Sequence, residues 1–206
     1  MFNPEYHQPG AENARELALV TPSGEIKMQT GSGGVLHNGA VITPDGKTYI
    51  VAESLAYVIT AFDRAPDGTL SNKRQLADCK TALHKRFPGR FDTAAAAMPD
   101  GMCLDSEGGI WCAVPAVLFP ADPMVGGVVR YNMAGEITHE FGMDAGFDGT
   151  GIAVMFGEGN DLYFVCSRQV GGSAPLGRDN GFLVKVTVPF KAAKSDEFPH
   201  YHAGYC

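Results

Sequence analysis

"DGMCLDSEGGIWCAV", Asp100 to Val114, decides the fold once it is laid over two other stretches of the chain. It opens on a polar residue and Gly, runs through a short apolar strand, turns at Glu107-Gly108-Gly109 and returns past Trp111. "NGAVITPDGKTYIVA" from Asn38 and "TGIAVMFGEGNDLYFVC" from Thr150 do the same. Gly39 to Gly46 and Gly101 to Gly108 are both seven residues apart. The third copy carries a small insertion at Gly157-Glu158-Gly159-Asn160, and Tyr49, Trp111 and Tyr163 fall in one column. Each hairpin continues into a third strand and often a fourth, as in "YVITAFDRAPDGTLSNKRQLA" and "GGVVRYNMAGEITHEF".

Repeats of about 50–60 residues, each a small meander, are the mark of propeller blades. The remaining strand signals agree: "ELALVTP", "EIKMQT", "EITHEF" and "FLVKVTV" are short β-branched or aromatic runs bounded by turn residues. No stretch keeps a helical period over ten residues, and "TAAAAM" (Thr93 to Met98) is too short to stand alone as a helix. The class is therefore all-β. Strands apolar on both faces suit sheets packed between neighbours. A Greek-key sandwich would also use short strands and Gly turns, but it gives no reason for the matching turn positions.

The bulk numbers exclude several roles. At 206 residues with 45% hydrophobic and 19% charged residues, the chain is globular and long enough to bury a core without disulfides. A net charge of −7 and the absence of a Lys/Arg stripe exclude nucleic acid as a partner. No run approaches the roughly eighteen apolar residues of a membrane span. "MFNPEYHQPGAENA" at the N-terminus has neither a basic nor an apolar signal region, so a cytoplasmic location is expected.

The five cysteines form no C-x-x-C and are expected to be reduced apolar fillers. If Glu107-Gly108 is a two-residue hairpin tip, Cys103 and Cys112 face each other at a non-hydrogen-bonded pair, where a disulfide fits. Val41 and Ile50 hold the same places in the neighbouring repeat, which favours an apolar pair.

In a propeller, the innermost strand of each blade borders a central channel, so residues at one repeat position converge. Asn38, Asp100 and Thr150 hold that position. An amide oxygen, a carboxylate and a hydroxyl together suit a hard divalent cation. Asn-Gly and Asp-Gly are also favoured turn dipeptides, so each residue taken singly has an ordinary explanation.

The run from "HNGAVITPDGKTYIVAES" to "PDGMCLDSEGGIWCAV" resembles the gluconolactonase / senescence marker protein / luciferin-regenerating enzyme-like family. The likeness is strong from Asn38 to Val114, fades to a blade-like pattern through "GFLVKVTV", and corresponds to the C-terminal two-thirds of the family pattern. It implies a six-bladed propeller, about four blades of which lie in this chain. It also implies one divalent metal ion in the channel, calcium first and zinc, manganese or magnesium as alternatives. The implied activity is hydrolysis of a lactone, a sugar lactone or similar cyclic ester. Carried over, Asn38 matches a metal-ligating Asn, and Asp100 matches a metal-ligating Asp that also serves as general base. His37 stands where the family has Pro, a change expected to affect only the approach of the loop.

By the resemblance, the family's opening Glu ligand and a further Asn are expected upstream of Met1. Residues 1–206 are accordingly read as one propeller domain incomplete at its N-terminus. Such a chain has an open sheet edge suited to homo-oligomer formation, and its two-ligand remnant is expected to bind metal weakly. Two other functions fit the architecture: a calcium- or small-molecule-binding propeller without turnover, and a strictosidine synthase-like propeller, which lacks the metal ligands.

Other features carry less. "TGSGG" (Thr30 to Gly34) has no Lys-Ser/Thr after it and reads as a turn, not a phosphate loop; "VGGS" (Val170 to Ser173) reads likewise. Glu53-Ser54 ends a strand and is given a surface or supporting role rather than direct ligation. Arg168 follows a strand and could reach the channel mouth. His200 and His202 lack a third ligand. The basic stretch from Cys79 to Met98, with Lys80, His84, Lys85, Arg86 and Arg90, is either a lid or a solvated insertion.

Overall fold

The computed structural model describes residues 15–89, 98–115, 126–143, 149–167 and 181–194. A ribbon of β1 (Ala18–Val20) and β2 (Ile26–Met28) comes first. A four-stranded meander follows: β3 (His37–Ile42), β4 (Thr48–Glu53), β5 (Val58–Arg64) and β6 (Leu70–Asp78). The second meander is β7 (Met102–Leu104), β8 (Ile110–Val114), β9 (Gly127–Tyr131) and β10 (Ile137–Phe141). A three-stranded sheet of β11 (Thr150–Phe156), β12 (Asp161–Ser167) and β13 (Gly181–Thr187) ends the described chain. Every pairing is antiparallel between strands adjacent in sequence, as the repeat predicts.

The sheets stack face to face. Val41, Ile50, Ile59, Met102, Ile110, Cys112 and Tyr131 join one core between the first and second meanders. Cys103, Trp111, Val128, Val154, Leu162 and Phe164 form the next, between the second meander and β11–β13. β7, β8 and β9 are buried along their whole length, because both of their faces meet a neighbour. The end sheets differ: Val20, Ile26 and Met28 on the ribbon, and Met155, Val165 and Leu183 on the last sheet, remain exposed. Among the described residues the sheets do not close into a ring.

The repeated Gly that follows the candidate ligand has a packing reason. A Cβ on Gly39 would meet the Asp100 carbonyl oxygen and lie 2.6 Å from Met102 N. A Cβ on Gly101 would lie 2.7 Å from Ala153 Cα. Each inner strand thus touches the next one backbone to backbone. Gly39→Ala is expected to force β3 and β7 apart and to cost about 1–3 kcal/mol, read as a lower urea midpoint by circular dichroism. An unchanged midpoint would show that the strands part freely.

Two expectations need correction. The hairpin tip after β7 has three residues, Ser106 to Gly108: Asp105 N–H donates to Gly109 O (2.9 Å) and Gly108 N–H to Asp105 O (3.0 Å). Gly108 adopts φ 77°, the left-handed conformation such a loop requires. The extra residue moves the register by one, so Met102 faces Cys112 and Cys103 faces Trp111. A one-residue slip exchanges faces. Cys103 and Cys112 therefore lie in different cores, and neither they nor buried Cys79 and Cys166 form a disulfide.

A helix also exists within the all-β frame, α1 (Cys79–Arg86). Asp78 caps it, its carboxylate accepting from Thr81 N (2.9 Å) and Thr81 Oγ1 (2.9 Å). Only Cys79 and Leu83, one turn apart, are buried, which leaves too narrow an apolar stripe to announce itself. No helix among the described residues is long and apolar enough to cross a membrane.

Candidate metal centre

Asn38 and Asp100 arrive on adjacent inner strands, each at an irregularity in its ladder. The β3–β4 register shifts between His37 and Ala40. On the next sheet, Asp100 N–H donates to Ala113 O (2.9 Å) while Ala113 N–H donates to Gly101 O (2.9 Å), so two residues oppose one. Gly101 N–H crosses to the following sheet, to Ile152 O (3.1 Å). Such bulges re-aim a side chain. Here the Asn38 amide comes near enough to the Asp100 carboxylate to favour its charged form.

Behind the pair lies Ser54, which is 1% exposed. Asn38 Nδ2 donates to Ser54 Oγ (3.3 Å), and Ser54 Oγ donates to Pro99 O (2.7 Å). Sequence reasoning gave Ser54, together with Glu53, a surface or supporting role but named no partner for it. The partner that defines its role lies 45 residues away, and no local spacing signals it.

Burial pushes the Asp100 carboxyl up to about 6, with the Asn38 amide and the Gly101 backbone offsetting only part of that rise. No Lys or Arg among the described residues pairs with it. A desolvated carboxylate without a cationic partner, beside an amide oxygen, fits a hard divalent ion. Calcium takes about six to eight oxygens, so these two residues supply part of a shell. Among the described residues no three of His, Cys, Asp and Glu cluster as metal ligands.

Thr150 does not join them. Gly101 abuts Ile152 and Ala153, which places Ile152, an apolar residue, level with Asp100. Thr150 lies further along β11, fully buried and paired across the ladder with Ser167. The β11–β12 register shift between Gly151 and Ala153 displaces it from the position that simple alignment gives.

Glu53 is no surface group. It is 4% exposed and accepts from Thr60 Oγ1 (2.6 Å) and Val35 N (3.2 Å), with Lys73 Nζ at 2.9 Å. Burial would raise its carboxyl, yet Thr60, Lys73 and Val35 outweigh that and hold it below the usual range. Lys73 also donates to Gly33 O (2.6 Å). "TGSGG" is thereby fastened to the first meander and serves as a structural strap. His37 pairs across the ladder with Glu53. Burial lowers its ring below the ordinary value despite the nearby carboxylate.

The basic stretch after β6 is partly absorbed by packing. Arg86 holds Glu140 through two bonds (2.6 and 3.1 Å), and Lys85 lies 3.8 Å from Glu136, so α1 docks on the second meander. Arg90, Arg168, His200, His202, Val170 to Ser173 and most of Thr93 to Met98 lie outside the described residues.

Residues 4–168 match the family model described as SMP-30/Gluconolactonase/LRE-like region. The chain belongs to this family. The match reaches nearer the N-terminus than the motif pair alone does. Over 79 residues, 38% of this chain and 22% of the relative, it is 32% identical to regucalcin of Sus scrofa. A solved luciferin-regenerating enzyme superposes with TM-score 0.61 at 22% identity, covering 85% of this chain and 52% of that one. The calcium-binding protein regucalcin of Agrobacterium tumefaciens superposes with TM-score 0.52 at 18% identity, covering 82% and 52%. The chain thus spans about half the length of these solved relatives.

Proposed function

We propose that Asn38 and Asp100 are ligands of one divalent cation, calcium or else zinc, manganese or magnesium, at which a lactone is hydrolysed. The observation that carries this is the meeting of the two side chains, with Asp100 desolvated and lacking a cationic partner among the described residues. Family membership supports a lactonase or a calcium-binding propeller. Propeller closure around this centre with six blades, and the remaining ligands, belong to the same proposal.

Bound there, the ion would polarise the lactone carbonyl and acidify a water molecule. Without the ion, burial raises the Asp100 carboxyl to about 6; beside the cation it would be held as the carboxylate, the form that can accept a proton. It takes a proton from the attacking water as the new C–O bond forms. Cleavage of the ring C–O bond releases an alkoxide, and the proton returned to it completes the hydroxy acid. Asn38 holds its oxygen toward the cation and its N–H toward Asp100.

Hydrolysis of D-glucono-1,5-lactone, followed by acid release above the spontaneous rate, tests this. Activity that chelator abolishes and calcium or another divalent ion restores is expected. Activity indifferent to chelator would overturn metal dependence. Metal binding without turnover of any sugar lactone would favour the second reading, a calcium-binding propeller, which the calcium-binding relative motivates.

A further inference from the structure

We infer that Ser54 is a positioning residue that fixes which atom of Asn38 faces the cation; this rests on the metal site proposed above. The argument is one of donors and acceptors. A hydroxyl has one proton, and Ser54 directs it at Pro99 O, a carbonyl that can only accept (2.7 Å). Toward Asn38, Ser54 Oγ can therefore only accept, so the amide must present Nδ2 (3.3 Å). The Asp100 carboxylate nearby is likewise an acceptor, and the amide favours its charged form, so N–H rather than oxygen is turned toward it. With Nδ2 turned to these two acceptors, Oδ1 is the atom left for the open side, where Asn38 is exposed.

Ser54 itself has no freedom to do otherwise. It is buried, its N–H donates to Leu36 O (3.0 Å), and its hydroxyl ties the turn after β4 to the carbonyl just before Asp100. One side chain thus sets both the rotation of one ligand and its distance from the strand of the other. Outer partners of this kind typically govern metal affinity by about 10–100-fold.

Calcium titration of the full chain by calorimetry, comparing wild type with Ser54→Ala, tests the inference. The variant is expected to bind about 10–100-fold more weakly. Binding at wild-type affinity would overturn the inference. A second measurement needs no variant: in metal-free wild type, the two Asn38 Nδ2 protons should exchange slowly with solvent. Exchange as fast as in an exposed Asn would overturn it as well. Failure of wild type to bind calcium, zinc, manganese or magnesium would instead sink the metal site, and the exchange measurement separates the two failures.

Discussion

Asp105→Ala is expected to destabilise the protein by about 3–5 kcal/mol, the usual consequence of leaving a buried charge unpaired. Asp105 is 0% exposed. Its carboxylate receives Arg130 Nε (2.6 Å) and Nη2 (3.1 Å), Trp111 Nε1 (2.9 Å), and the N–H groups of Gly109 (2.9 Å) and Glu107 (3.0 Å). Removing it strands the Arg130 guanidinium, which is packed 4.0 Å from the Phe190 ring centroid with only 8% of its side chain exposed. The N–H groups of Glu107 and Gly109 at the hairpin tip lose their shared acceptor, Asp105 Oδ1, at the same time. Glu107, exposed and 3.8 Å from Arg130, is the control: Glu107→Ala should change stability by less than about 0.5 kcal/mol. Urea melts followed by circular dichroism measure both. Equal, small losses in the two variants would refute the structural role of the pair.

Asp100→Asn should have two opposite effects. Lactone hydrolysis should fall by about a hundredfold or more, since the variant lacks both the proton acceptor and the negative ligand. In chelator, however, the variant should be more stable than wild type near pH 8. The sign follows from the carboxyl, at about 6 in the folded chain against 3.8 for an ordinary Asp. Between these values the folded state holds the proton more tightly. Wild-type stability in chelator therefore falls as pH rises through that window, and the penalty is full above it. The variant lacks this penalty, so its advantage should vanish below about pH 4. Thermal melts in chelator at pH 4, 6 and 8 measure the difference. A variant less stable than wild type at pH 8 would show that Asp100 is not held against its own desolvation.

Strand positions were legible because Gly turns and β-branched or aromatic runs mark them locally, and all of the strands among the described residues but β6, which followed from the meander pattern, fall where those signals lie. Facing and level were less so. Nothing in Glu107-Gly108-Gly109 distinguishes a two-residue from a three-residue tip, yet that residue decides whether Cys103 meets Cys112. The bulge in β11 similarly moved Thr150 away from Asp100 and put Ile152 in its place. The motif pair did bring Asn38 to Asp100, since matched inner strands of neighbouring sheets must lie side by side. The partners of Ser54 and the Asp105–Arg130 pair escaped notice for a common reason. The residues joined are 45 and 25 positions apart, and a buried hydroxyl or carboxylate looks in sequence like any turn residue.

Trp111 is the chain's single tryptophan, and its surroundings make it an optical reporter of restricted reach. Its fully buried indole stacks on Phe141 (5.9 Å between ring centres) and meets Phe190 edge-on (6.0 Å). Emission should be blue in the native protein and shift to the red only when the β7–β10 sheet separates from β11–β13. Fraying of the β1–β2 ribbon, by contrast, would pass unseen by fluorescence while changing the far-ultraviolet signal. Comparing the two signals along one denaturation curve therefore maps the order in which the stacked sheets come apart.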